Sequence, residues 1–144
     1  MKWAALITWV ITALGGFGLL GIWLQRGGMQ QREQPGRRIR PPFIFGHMGL
    51  AATGLVLWIV YLANDKRGIA WIAFGILLVV ATLGFAMLAL WLQRRQAGAP
   101  AAGMGEGGLP AEQHFPVQLV VAHGAIAATT LVLVLLAALE VGGS

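Results

Sequence analysis

The chain has 144 residues, 58% hydrophobic and 10% charged, with a mean hydropathy of +0.75 and a formal net charge of +5. One domain fits that length, and a charged fraction so far below the roughly 25% of soluble proteins excludes an ordinary water-soluble globule. The chain has no cysteine, which excludes disulfides, thiolate metal sites, iron–sulfur clusters and covalent haem attachment through Cys-x-x-Cys-His.

Four segments lack Lys, Arg, Asp and Glu: between Lys2 and Arg26, Arg40 and Asp65, Arg67 and Arg94, and Glu112 and Glu140. Each exceeds the roughly 20 residues a helix needs to cross about 30 Å of hydrocarbon. None alternates in polarity as a membrane β-strand would. The expected fold is an all-α membrane protein, a four-helix bundle forming a single integral membrane domain over residues 1–144.

The first span is expected over 3–25. Its apolar stretch is too long for a signal-peptide core of about 7–15 residues, and no small-x-small cleavage pattern follows, so it reads as a retained span. Trp23-Leu24-Gln25-Arg26 reads as a helix end at the headgroup level. The loop 26–42 holds Arg26, Arg32, Arg37, Arg38 and Arg40 against Glu33, and its glycines and prolines disfavour helix. Pro41-Pro42 leads into a second span over 43–63. Asn64-Asp65-Lys66-Arg67-Gly68 makes a tight turn to a third span over 69–93, which ends Trp91-Leu92-Gln93-Arg94. The loop 94–114, rich in Ala, Gly and Pro, reads as flexible. The fourth span, over 115–140, opens at Phe115-Pro116, with proline tolerated in a first turn.

The two long loops carry seven Lys/Arg and the other side three. The positive-inside rule then makes both long loops cytoplasmic and both termini exterior. The reading places the chain in the inner (cytoplasmic) membrane of a bacterium, its cations touching anionic lipid rather than nucleic acid. The tryptophans are expected mostly in interfacial belts. Asp65 and Glu140 stand isolated at the exterior edge.

The chain repeats itself. Gly16-Phe17-x-x-Leu20-x-x-Trp23-Leu24-Gln25-Arg26 returns in the third span as Gly84-Phe85-x-x-Leu88-x-x-Trp91-Leu92-Gln93-Arg94. His47-x-x-x-Ala51-Ala52-Thr53-x-Leu55-Val56-Leu57 returns in the fourth from His123, with Ala127-Ala128-Thr129 and Leu131-Val132-Leu133. The second pair is offset further than the first because the second long loop is the longer one. Two tandem helical hairpins, related as a parallel repeat about an axis along the membrane normal, account for both. His47 and His123 should then face one another at similar depth, His47 about four residues or roughly 6 Å inside its span.

An imidazole in an apolar run is costly and is expected to have a function. On the helical face of His47 lie Leu50, Ala51 and Gly54; on that of His123, Ile126, Ala127 and Thr130. Small residues there serve close helix packing or leave room for something flat. Zinc would need three or four protein ligands, and Met48 points about 100° away from His47, which disfavours copper. Haem needs only axial ligands, so two opposed imidazoles between apolar walls suit one bis-His haem b. Arg37, Arg38 or Arg40 could pair with its propionates. Interhelical hydrogen bonding or proton handling by the histidines, and another ligand such as a quinone, remain open. His114, about 13.5 Å from His123 on an ideal helix, reads as a headgroup-level residue. Thr53 and Thr129 are expected to bond their own helix backbone.

On the pair His47/His123 and the four-span architecture, the chain resembles the four-helix membrane b-type cytochromes, including cytochrome b561-like proteins. That resemblance implies haem held by bundle histidines and electrons passed to or from quinones or soluble donors. Those proteins carry two haem-ligating pairs, and this chain has one. A single haem near one face does not span about 30 Å of bilayer, which implies a partner or subunit of a larger redox complex, or a homo-oligomer, rather than a stand-alone enzyme. The rival expectation is a cofactor-free accessory or assembly subunit. A transporter would need a charge relay that these spans lack.

Overall fold

The computed structural model describes residues 1–30, 39–96 and 110–141. Four long helices dominate it: α1 (Lys2–Gln25), α2 (Pro41–Asn64), α3 (Arg67–Gln96) and α4 (Val117–Ala138). A short 3-10 turn, Ala111–His114, precedes α4. At 1.5 Å per residue, α1 and α2 reach about 36 Å, more than a hydrocarbon core. All four are long and apolar enough to cross a membrane, and at most 17% of the residues in their most apolar stretches are buried inside the bundle. The outward surface is therefore apolar too, as in Phe17, Val56, Ile72 and Val121, and a bilayer is the environment that covers it.

Local chemistry explains the helix ends. Pro41 and Pro42 occupy the first helical positions of α2, where a missing N–H costs nothing. Asp65 ends α2 in the left-handed region (φ 52°), donating its N–H to Tyr61 O at 2.8 Å, and α3 starts two residues on. Helix α3 runs past its expected end at 93 to Gln96, with Arg94 and Arg95 in its last turn, where cations favour the dipole. Helix α4 starts at Val117 rather than 115 because Phe115 precedes a proline. Phe115 is held extended (φ −65°, ψ 128°).

Around the bundle, α2 lies along α3 and α1 along α4 over the longest interfaces, with shorter ones between α1 and α2 and between α3 and α4. Helices α2 and α4 therefore stand on one diagonal, and α1 and α3 on the other. One end carries the chain's N-terminus, the α2–α3 turn and the end of α4; the other carries the two long connections.

At the first end the residues expected to be isolated are paired. Lys2 bonds Asp65 across 63 positions of sequence, and Arg67 meets Glu140 at 3.5 Å while donating from Nε to Ala138 O at 3.0 Å. The fold, not the local sequence, brings these partners together. The tryptophans also depart from expectation. Trp9, Trp23, Trp58 and Trp91 are buried between helices, while Trp3 and Trp71 face outward. Their size fills gaps that leucine would leave. Trp9 and Trp58 pack at 6.4 Å, and Tyr61 joins Trp58 at 4.9 Å.

Candidate functional site

The diagonal helices α2 and α4 bring the His47 and His123 rings near one another, tilted. Their ring centres are 6.4 Å apart and their planes meet at 59°. Each ring is half-buried and anchored by its Nδ1, but to the neighbouring helix rather than to its own. His47 Nδ1–H donates to Val80 O on α3 at 3.0 Å, and His123 Nδ1–H donates to Thr12 O on α1 at 3.0 Å. A carbonyl can only accept, so these bonds place the proton on Nδ1 and leave Nε2 with its lone pair.

Helix geometry explains how a carbonyl already inside a helix receives a second donor. The residue four positions on stands over that carbonyl, and here both such residues are glycine: Gly84 after Val80 and Gly16 after Thr12. A Cβ on Gly84 would lie 3.3 Å from His47 Cε1, and one on Gly16 would lie 3.2 Å from His123 Cε1. Glycine at these two positions is what lets the rings approach the backbone. On the His123 side Gly15 adds a second close contact, 3.4 Å from Nδ1.

The remaining expected site residues divide. Beneath His47, a Cβ on Gly54 would lie 2.9 Å from the Trp9 ring and 3.3 Å from Ile76, so the space is filled by an indole and the position serves close packing. Beneath His123, Thr130 donates to Ile126 O at 2.9 Å, and its hydroxyl faces that of Thr12 at 3.4 Å. Ala51 packs on the apolar core below, and Ala127 is half-buried on the same face of α4 as His123. Arg40 is exposed at the start of α2; Arg37 and Arg38 lie outside the described residues. Thr53 and Thr129 donate to the carbonyls of Gly49 (2.9 Å) and Ala125 (3.0 Å) on their own helices.

Sequence reasoning gave no role to Thr12, Val80, Gly16 and Gly84. The two glycines were already visible as matched positions of the repeated motif; the carbonyls had no signal in residue type. Glu112 was missed as well. It is 1% exposed, accepts the Ile39 N–H at Oε1 (3.2 Å), and its carbonyl accepts the Trp91 indole N–H at 2.9 Å.

The pair suits some chemistry better than other. Among the described residues no three of His, Cys, Asp or Glu gather as a metal-ion cage; the pair itself offers two imidazole donors. A metal–imidazole bond is about 2.0 Å, and a ring nitrogen lies about 1.1 Å from its ring centre. Two imidazoles on opposite faces of one metal therefore have centres about 6 Å apart, near the 6.4 Å observed. In the spacing of the two rings, these residues suit a group that brings its other ligands and needs two further nitrogens. No family model matches the chain, and comparison with curated proteins and with solved structures finds no match.

Proposed function

We propose that this chain is a membrane b-type haem protein that takes part in electron transfer, with His47 and His123 as the axial ligands of one haem between α2 and α4. The observation that carries the proposal is the pair of Nδ1-anchored imidazoles with ring centres 6.4 Å apart. Ligand histidines characteristically donate their other ring N–H to a carbonyl or carboxylate, which fixes the tautomer and the ring's direction. Val80 O and Thr12 O do this for the two rings. When bound there, haem supplies one-electron exchange at iron, tuned by its axial nitrogens and their hydrogen bonds. The chain's part is to hold two imidazoles in one tautomer and to surround them with apolar helix faces that keep water away.

The same reading takes the chain as two copies of one hairpin. Three equivalences support it. Thr12 with Val80, and Gly16 with Gly84, keep the register of the first repeated motif, while the histidines they serve keep that of the second. The buried positions Ala5, Trp9 and Trp23 of α1 fall on Ala73, Leu77 and Trp91 of α3, and Gly54, Trp58 and Tyr61 of α2 on Thr130, Val134 and Ala137 of α4. The interfaces α1–α4 and α2–α3, which a two-fold along the membrane normal would exchange, are the two longest. The reading takes the membrane as a bacterial inner membrane, and the charge of the arginine-rich loop end supports a cytoplasmic position for it. With one haem near that face, electrons pass to a partner, as in a subunit of a larger redox complex similar to the four-helix b-type cytochromes; a quinone is one candidate partner.

The test is the visible spectrum of the protein purified from haem-replete cells, oxidised and then dithionite-reduced. A Soret band with sharp reduced α and β bands is expected. Its absence at full haem supply overturns the proposal and leaves the accessory-subunit reading.

A further inference from the structure

Away from the histidines, the loop end contains hydrogen-bonding groups withdrawn from water with nothing to bond. The 3-10 turn is pinned to α3 by the bond from the Trp91 indole N–H to Glu112 O at 2.9 Å. Arg94 lies three residues beyond Trp91, on the same helix face; Gln113 and His114 follow Glu112 directly. Within one helical turn or two residues of that bond, three side-chain nitrogens are therefore shielded from solvent and lack a partner: Arg94 Nε, Gln113 Nε2 and His114 Nδ1. Arg94 Nε can only donate, the Gln113 amide nitrogen donates, and His114 Nδ1 donates in the tautomer an acceptor would select.

Buried polar groups are nearly always satisfied, so three orphans flanking this one contact between the 3-10 turn and the end of α3 point to an acceptor they are built to meet. Glu112 does not fill that role. Its Oε1 is taken by Ile39 N–H, and the ion pairs among the described residues are Lys2–Asp65 and Arg67–Glu140, both at the other end. Arg95 is engaged over the Trp91 ring at 4.9 Å, which leaves Arg94 as the cation of the cluster, with the buried Glu112 carboxyl as its one acid neighbour in sequence.

We propose that Arg94, Gln113 and His114 form a binding site for a phosphate group, separate from the imidazole pair and independent of its reading. A guanidinium beside neutral N–H donors matches the acceptor oxygens of a phosphate. Two sources can bring it: the headgroup of a phospholipid, for which exposed Leu24, Met29, Leu92 and Val117 at this end offer apolar contact to the chains, or free phosphate.

The experiment uses the full chain, delipidated in detergent, with binding read by native mass spectrometry and by the shift in melting temperature. The probes are phosphatidylglycerol, phosphatidylcholine and inorganic phosphate. Wild type should bind at least one of them and melt higher with it. Arg94→Gln should weaken binding about ten-fold or more, His114→Leu/Gln113→Leu likewise, while Arg67→Gln at the opposite end should leave it unchanged. Binding of lipid but not phosphate supports the site with a headgroup as its occupant; binding of inorganic phosphate supports it with a free anion. Binding equal in wild type and Arg94→Gln, or no binding and no thermal shift with any probe in wild type itself, overturns the proposal without touching the haem reading.

Discussion

The seats of His47 and His123 are alike where they touch the rings and unlike beneath them. Both rings donate from Nδ1 to a carbonyl of the neighbouring helix at 3.0 Å, and both rest against a glycine four residues past that carbonyl. One turn and more below, His47 stands over Gly54 capped by the Trp9 indole, whereas His123 stands over a pair of facing threonine hydroxyls. The groups that fix the imidazoles' direction have few substitutes here, because each ring donates to a helix carbonyl that it reaches past a glycine. A gap between helices can be filled in several ways at similar cost. The features the two seats share are thus the ones that touch the imidazoles.

The strongest way to break the comparison is to remove one ring at a time. On the proposed function, His47→Ala and His123→Ala should each abolish the reduced spectrum entirely while the protein still inserts and elutes as wild type does. Loss in one variant only would mean that the two seats are not equivalent and that a single iron is not held between them.

Two substitutions in the floor beneath His47 should offset one another. Giving position 54 the residue of its counterpart, Gly54→Thr, drives a side chain into the Trp9 ring, 2.9 Å from where its Cβ must lie. Overpacking of this kind costs about 1–3 kcal/mol. Trp9→Leu, copying Leu77, should cost a comparable amount by leaving a cavity beside Trp58. Together they should cost less than the sum, with a coupling of about 1 kcal/mol or more. Thermal or denaturant unfolding in detergent measures it; strict additivity would show that the two floors are not interchangeable solutions to one packing problem.

The sequence made legible what depends on residue type along a single segment. The spans follow from runs without charge, and the imidazole pair from a motif that returns around His123. Partnerships across the fold carried no such mark. The acceptors of the two rings are backbone carbonyls at Thr12 and Val80, and any residue has one. Asp65 and Glu140 look solitary until Lys2 and Arg67 are brought beside them. Trp23 and Trp91 near helix ends read as belt residues and prove to be buried, because helices apolar all round give no amphipathic face to tell inside from outside. Glu112 reads as the edge of a flexible loop, since its burial is created by Ile39 and Trp91, both distant in sequence.

Smaller effects sharpen the likeness of the seats. Gly84→Ala and Gly16→Ala place a methyl 3.3 and 3.2 Å from the respective Cε1, so each ring must give by a few tenths of an ångström. The contact penalty is offset by the roughly 1 kcal/mol that alanine gains over glycine inside a helix, and net stability should change by about 1 kcal/mol or less. Ring direction is not offset. Both variants should bind haem less tightly and shift the midpoint potential, by similar amounts in redox titration. A shift in one alone would set the two seats apart.

The smallest expected effect lies where the floors differ most in polarity. The Thr12 and Thr130 hydroxyls face each other at 3.4 Å, but each also donates to a carbonyl of its own helix, Thr12 to Thr8 O at 2.8 Å and Thr130 to Ile126 O at 2.9 Å. A hydroxyl has one proton, so the two are bonded across the interface only when one of them gives up the bond to its own helix. Thr130→Val keeps the shape, frees no unsatisfied donor and removes that contact together with the Thr130 bond to Ile126 O, so it should cost about 0.5 kcal/mol, within the range of interhelical hydrogen bonds in membranes. Thr12→Val should match it, and the double variant should cost hardly more than either single one. A loss in Thr130→Val well above the range of such interhelical bonds, or a spectrum altered as Gly16→Ala is expected to alter it, would assign the threonine pair to the seat of His123 rather than to its floor. The two imidazoles would then be held by different means.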